Sequence, residues 1–179
     1  IWFGVSIAIM LVIMFVDYDV WAKLSPVFYG ISIILLVAVL FTRARNGASS
    51  WFKIGSFTLQ PGELAKVAVI LFTSSTIVKI QEKGKFQINI FWKLCIAILT
   101  VIFPVFLIIL QPDYGTAAAY LVSLVLMLYV SGIDKKYIIV AAILLVIALP
   151  LAYFFVLPAH AKTRIDIFLN PESDPKGAG

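Results

Sequence analysis

The sequence has few charged residues, one cysteine and one histidine. Lys, Arg, Asp and Glu make up 13% of its 179 residues, whereas a soluble domain usually carries about 25%. Hydrophobic residues make up 63%, and the mean hydropathy is +1.08. A water-soluble globule of this size could not bury so much apolar side chain. The composition therefore excludes a soluble enzyme, a disordered tail and a secreted disulfide-rich module, and it indicates a protein solvated by lipid.

The single cysteine and the single histidine exclude two kinds of stabilising site. Cys95 lies within an apolar run and has no second thiol for an internal disulfide. His160 has no second histidine and no cysteine nearby, so no zinc site is predicted there. The sequence begins at Ile1 within an apolar run and shows no cleavable signal with a basic leader. We therefore expect an internal piece of a longer membrane protein.

Apolar stretches suited to membrane helices follow one another along the chain. A helix needs about 20 largely apolar residues to cross the hydrocarbon core, and its backbone must be hydrogen-bonded internally. The stretches do not alternate polar with apolar residues, which argues against barrel strands. The sequence predicts an all-α membrane protein, a multi-span bundle with six transmembrane helices at 1–16, 25–42, 62–78, 88–110, 114–132 and 137–157. Residues 158–179 are predicted to begin a large loop outside the membrane.

Successive loops lie on alternate sides of the membrane, so the basic residues in and near them form two sets. One set is entirely lysine: Lys23, Lys79, Lys83, Lys85, Lys93, Lys135 and Lys136. The other set contains all three arginines: Arg43, Arg45, Lys53, Lys162, Arg164 and Lys176. Positive charge favours the cytoplasmic side, so the slight excess in the first set places that set inside. The outer arginines would then suit an anionic ligand such as phosphate, while snorkelling to lipid headgroups explains them without a ligand.

Two acidic residues stand at the starts of two predicted spans, each shortly after a Gln-Pro pair. Glu63 comes two residues after Pro61 and three residues before Lys66, on one helical face. Asp113 comes directly after Pro112. Each acidic residue has a structural interpretation as a group that caps or charges a helix start. The alternative is that both face one outer cavity, because ionisable residues near a span usually face a bundle interior or water.

Four stretches in order resemble the SEDS family (shape, elongation, division and sporulation) of bacterial membrane proteins. They are Asn46-Gly47-Ala48 through Trp51, Phe57 through Lys66 with Gln60-Pro61-Gly62-Glu63 at its centre, Gln111-Pro112-Asp113-Tyr114-Gly115-Thr116, and Arg164-Ile165 through Gly179. The first and last stretches look more like the RodA elongation branch than the FtsW division branch. The resemblance implies a bundle of roughly ten helices in the bacterial cytoplasmic membrane, crossed several times, with this chain as the second to seventh helix.

The resemblance also implies an activity, which is peptidoglycan glycosyltransfer. Lipid II units would be polymerised into glycan strands during cell elongation and shape maintenance, with release of undecaprenyl diphosphate. The implied partners are a class B penicillin-binding protein and the cell-wall elongation complex, with no nucleic acid. Mg²⁺ or Mn²⁺ is an expectation of the family, although no ligand set in this chain supports a metal directly. The candidate substrate-binding or cavity residues are Glu63, Lys66, Asp113, Arg43, Arg45 and Arg164.

Departures from the family pattern limit what can be assigned. The family usually has serine where Gly62 stands and often a basic residue where Ser50 stands, which weakens a phosphate role for that loop. The family's catalytic aspartate lies in a His-Thr-Asp-Phe stretch further along the outer loop, beyond Gly179. No catalytic residue is therefore predicted here, Asp174 included, and we expect this chain alone to be inactive.

Two other functions stay open at the level of sequence. One is a flippase or transporter for lipid-linked precursors, for which Pro104 and Pro150 would supply broken helices. Acidic residues at one face argue against that function, since alternating access needs a site reachable from both sides. The other is a non-enzymatic membrane scaffold of the cell-wall synthesis complex, in which Glu63 and Lys66 would be dispensable.

Overall fold

The computed structural model describes residues 2–41, 50–54, 57–151, 154 and 162–163. In these residues the α-helices are α1 (Trp2–Met14), α2 (Tyr18–Leu40), α3 (Pro61–Gln81), α4 (Phe91–Ile109), α5 (Tyr114–Val130) and α6 (Lys135–Leu151). Two strands, β1 (Phe52–Ile54) and β2 (Phe57–Leu59), precede α3, and a 3-10 helix (Lys85–Asn89) precedes α4. The chain divides into two compact units, Ile1–Ile133 and Asp134–Gly179.

The helices fall on the six apolar stretches, with one start that differs clearly. The sequence predicts a second helix that begins at Ser25, before Pro26, whereas α2 begins at Tyr18 and has Pro26 inside it. Proline lacks the N–H that would bond the carbonyl oxygen four residues earlier, that of Ala22. The Ser25 hydroxyl donates to that oxygen at 2.7 Å. The freed acceptor is thus satisfied, and the helix continues through the proline.

Two of these helices, α2 and α4, are long and apolar enough to cross a membrane by length and composition, and α5 is a shorter apolar helix. Their sequences are mostly apolar and carry little charge, which is typical of membrane spans. The predicted total of six spans stays a prediction.

A β-hairpin lies between α2 and α3, where the sequence predicts only a loop. Phe52 pairs with Leu59, and Ile54 pairs with Phe57, in an antiparallel register. Each strand reads apolar-polar-apolar, and Gly55-Ser56 separates the two, which is a recognisable hairpin pattern. Gln60 is the one residue between the end of β2 and the start of α3, so the hairpin fixes its position at the start of that helix.

Helix α3 contacts α2, α4 and α5 through its side chains. The Tyr29 and Phe72 rings lie 4.4 Å apart between α2 and α3. The Thr73 and Thr100 hydroxyl oxygens are 2.8 Å apart between α3 and α4, and both side chains are buried. Small and hydroxyl-bearing residues suit such contacts, since they let helices approach closely and bond across the interface in lipid. The buried apolar core of this unit includes Leu36, Val39, Val69, Val101, Ile108 and Tyr120.

The second unit contains α6. The Asp134 carbonyl accepts the Tyr137 N–H at 3.0 Å, and the Asp134 carboxylate pairs with Lys136 at 3.2 Å. Pro150 lies inside α6, near its end.

Candidate functional site

Glu63 and Lys66 form an ion pair in the first two turns of α3. Lys66 Nζ lies 3.0 Å from each carboxylate oxygen of Glu63. The Lys66 side chain is 25% exposed and the Glu63 side chain 55% exposed, so solvent or a ligand can reach the pair in this chain. Pro61 at the helix start and an acidic residue in the first turn both favour a helix at this point.

Asp113 caps the start of α5. Its Oδ1 accepts the backbone N–H of Thr116 at 3.2 Å, and its Oδ2 accepts the Thr116 hydroxyl at 2.9 Å. An aspartate before a helix satisfies N–H groups that have no partner within the helix. These two hydrogen bonds support the interpretation of Asp113 as a helix cap.

Gln60 joins the start of α3 to the start of α5. Its side-chain amide donates to Asp113 Oδ2 and also to the Thr116 hydroxyl oxygen, the latter at 3.3 Å. We call Gln60, Asp113 and Thr116 the clasp. The clasp brings the two Gln-Pro motifs to one end of the unit, as their similarity suggested. Gln60 and Thr116 were not among the site residues predicted from the sequence, although the repeated Gln-Pro motif was the signal that could have found them.

A second bond joins the same two helices beside the clasp. The Tyr120 hydroxyl donates to the Gly62 carbonyl oxygen at 2.7 Å, and Tyr120 is 1% exposed. A Cβ added at Gly62 would lie 3.2 Å from the Thr116 methyl carbon, so glycine permits this close approach. Sequence reasoning missed Tyr120, which no motif marks because its partner lies on another helix.

The two Gln-Pro motifs differ in what their glutamines contact. Gln111 is buried, and its side-chain amide donates to the Leu36 carbonyl oxygen of α2 at 3.1 Å. Gln60 instead bonds α5. The first motif thus ties α3 to α5, and the second ties the turn before α5 to α2.

Three of the predicted site residues, Arg43, Arg45 and Arg164, lie outside the described residues. A phosphate-binding role for them stays a prediction. Within the described ranges, no group of three or more His, Cys, Asp or Glu residues is placed to hold a metal ion.

Comparison with known proteins identifies the family. The family of FtsW, RodA and SpoVE, described as cell cycle proteins, matches residues 1–179. The chain belongs to the SEDS family. The resemblance predicted from the four motifs is thereby confirmed.

Relatives with several names match nearly the whole chain. Peptidoglycan glycosyltransferase MrdB of Escherichia coli (strain K12) is 32% identical over 183 residues, covering 98% of this chain and 46% of that protein. Stage V sporulation protein E of Bacillus subtilis (strain 168) is 34% identical over 181 residues, covering 98% of this chain and 48% of that protein. The chain therefore spans about half the length of the curated relatives that it matches. Identities this similar do not separate the SEDS branches, so the RodA assignment stays a prediction.

Solved SEDS structures share the fold. A peptidoglycan synthase complex, described for the structural coordination of polymerization and crosslinking, contains a chain 28% identical to this one. It has a TM-score of 0.76 over 97% of this chain and 50% of that chain. The rod shape determining protein RodA of Thermus thermophilus is 27% identical, with a TM-score of 0.66 over 81% of this chain and 47% of that chain. The predicted fold class, a helical membrane protein, is confirmed.

Proposed function

We propose that this chain is part of a peptidoglycan glycosyltransferase that polymerises lipid II into glycan strands during cell elongation and shape maintenance. The observation that carries the proposal is the match to MrdB, a named peptidoglycan glycosyltransferase, across 98% of the chain. The shared fold with a peptidoglycan synthase complex supports it. The protein would cross the bacterial cytoplasmic membrane several times, with the Glu63–Lys66 end at its outer face.

In this reaction a sugar hydroxyl of one substrate attacks the anomeric carbon of the other. The bond to the polyprenyl diphosphate breaks, and the hydroxyl proton passes to a base. The carboxylates of the described site do not suit that base, since Asp113 accepts three hydrogen bonds and Glu63 is paired with Lys66. A base must reach the hydroxyl whose proton it removes. The Glu63–Lys66 pair is therefore proposed to bind substrate and Asp113 to hold the start of α5 in place, with the base supplied by another part of the protein.

The Glu63–Lys66 pair is proposed to contact the polar part of the lipid-linked substrate. The pair is partly exposed near the start of α3, where its ammonium group can bond phosphate oxygens and its carboxylate can bond sugar hydroxyls. Arg43, Arg45 and Arg164 are proposed to add charge for the diphosphate.

The described residues bring no group of three or more His, Cys, Asp or Glu together to hold a divalent metal. Dependence of the activity on Mg²⁺ or Mn²⁺ is a separate proposal, which chelation by EDTA and readdition of either metal would test.

A class B penicillin-binding protein is the proposed partner, within the cell-wall elongation complex. The complex that shares this fold combines polymerization with crosslinking. Crosslinking by a bound partner would act on strands as they emerge.

The activity is tested with the full-length protein and its penicillin-binding partner, supplied with lipid II. We expect glycan strands on a gel from the full-length protein and none from residues 1–179 alone. Absence of strands, together with movement of lipid II across a vesicle membrane, would replace the proposal with the flippase function.

Lys66→Ala distinguishes the enzyme from a scaffold. We expect this substitution in the full-length protein to lower strand formation, because it leaves the Glu63 carboxylate without its cation. Lys79→Ala, which removes an exposed lysine from the other end of the same helix, is the matched control. Normal strand formation and normal cell shape with Lys66→Ala would favour a scaffold.

A further inference from the structure

We infer that Gln60 is a positioning residue of this site, which fixes the Asp113 carboxylate and, through it, the first turns of α3 and α5. The inference rests on the proposed function and deepens it. Gln60 contacts no residue assigned to phosphate or to proton transfer; its two observed side-chain bonds go to Asp113 and Thr116.

The hydrogen bonds of the clasp form a closed set. Gln60 donates to Asp113 and to Thr116, and the Thr116 hydroxyl in turn donates to Asp113. Each of the three side chains is therefore bonded to the other two. All are at least half-buried, and Thr116 is 7% exposed. In such surroundings a polar group without a hydrogen bond lowers the stability of the fold, and a fully bonded network holds its side chains rigidly.

The clasp is connected to the Glu63–Lys66 pair through the backbone. The Gln60 carbonyl accepts the Glu63 N–H at 3.2 Å, in the turn that starts α3. The Asp113 carbonyl likewise accepts the Ala117 N–H at 3.1 Å, in the first turn of α5. A displaced Gln60 would therefore move the turn that carries the Glu63 side chain.

The clasp assigns Asp113 the role of a hydrogen-bond acceptor, not that of a charge for the substrate. A carboxylate with three donors around it has little capacity left for a ligand. The bond should then work equally well with the donor and the acceptor exchanged. Glutamate at position 60 and asparagine at position 113 would make that exchange.

The exchange provides the test, in the full-length protein with lipid II. Gln60→Glu alone places two carboxylates together, so we expect kcat to fall about tenfold or more. The double variant Gln60→Glu with Asp113→Asn restores a donor and an acceptor, and we expect kcat to return to within about threefold of the unchanged protein. KM should change less than kcat, because the clasp positions the first turns of α3 and α5 and does not itself contact the substrate.

Gln81→Glu is the matched control for stability. Gln81 also joins α3 to the end of α5, by donating to the Ser131 carbonyl oxygen at 2.7 Å, but at the opposite end of the helices. We expect Gln81→Glu to lower the unfolding midpoint in detergent without the tenfold loss of kcat. An equal loss of kcat from Gln81→Glu would overturn a positioning role specific to Gln60.

Two further results would overturn the inference. One is a folded double variant that stays as inactive as Gln60→Glu, which would show that the Asp113 charge itself is required. The other is full activity of folded Gln60→Glu. If the unchanged protein makes no glycan strands, the proposed function fails separately. The clasp is then still tested by the unfolding midpoint, which Gln60→Glu should lower and the double variant should restore.

Discussion

The Tyr120 hydroxyl donates to the Gly62 carbonyl oxygen across 2.7 Å, between the interior of α5 and the first turn of α3. Tyr120 is almost completely buried, so no water competes for this bond. Its aromatic ring and its hydroxyl thus act together, because the ring fills the core while the hydroxyl fixes the start of the neighbouring helix.

Tyr120→Phe removes this bond and keeps the ring. We expect the free energy of unfolding in detergent micelles to fall by about 1 kcal/mol, which lies within the range measured for hydrogen bonds between helices in membrane proteins. Tyr129→Phe, on the exposed side of the same helix, is the control and should change it little. Equal shifts from the two substitutions would show that the Gly62 bond contributes nothing.

The close approach of Gly62 to Thr116 predicts a coupled pair of substitutions. Gly62→Ala places a Cβ 3.2 Å from the Thr116 methyl carbon, and crowding of this kind costs about 1 kcal/mol or more. Thr116→Ser removes that methyl group and keeps the hydroxyl of the clasp. We therefore expect the double variant to be more stable than Gly62→Ala alone in a detergent unfolding series. Additive effects would show that the helices separate freely at this point.

The Thr73–Thr100 pair predicts unequal costs for its two members. Thr100 donates to the Ala97 carbonyl oxygen at 2.7 Å, so Thr73 is the donor between the hydroxyls. Thr100→Val removes the acceptor of a fully buried hydroxyl, whereas Thr73→Val leaves the Thr100 bond to Ala97 intact.

We expect Thr73→Val to lower the free energy of unfolding by about 0.6 kcal/mol and Thr100→Val to lower it further. Thermal or denaturant unfolding of both, with the double variant to complete a cycle, measures the difference. Thr76→Val is the control, since Thr76 bonds only its own helix in the observed contacts. A larger cost for Thr73→Val would reverse the assignment of donor and acceptor.

The free energy of unfolding should depend strongly on the chemistry of the buried Gln111 side chain. Gln111→Met keeps the length and loses the bond to the Leu36 carbonyl, at a cost of about 1 kcal/mol. Gln111→Glu places an acceptor or a charge against that carbonyl, and we expect a cost of about 3 kcal/mol in the same unfolding assay. If the methionine and glutamate variants were equally stable, the amide would not be bonded to Leu36 in the folded protein.

Several features of this protein were determined by the sequence alone. The long, largely apolar runs predicted the helices, because lipid requires backbone groups to bond within the segment. The spacing of Glu63 and Lys66 predicted their contact, since residues three apart share a helical face. Four motif stretches in order, including those around Gln60 and Gln111, predicted the family.

Pro26 alone indicated a later start for α2, although the Ser25 hydroxyl that satisfies the Ala22 carbonyl lies only three residues away in the same helix. Other features were decided by tertiary structure. The similar motifs at Gln60 and Gln111 gave no sign that their glutamines would bond different helices.

The bonds from Gln60 to Asp113 and from Gln111 to Leu36 join residues 53 and 75 positions apart, respectively. Local patterns determine which segments become helices and which residues share a face within one helix. They do not determine which helix lies beside another, because that depends on how all the apolar faces pack together. The ion pair within α3 was therefore predictable, whereas the clasp and the Tyr120 bond were fixed only when α3 and α5 came together.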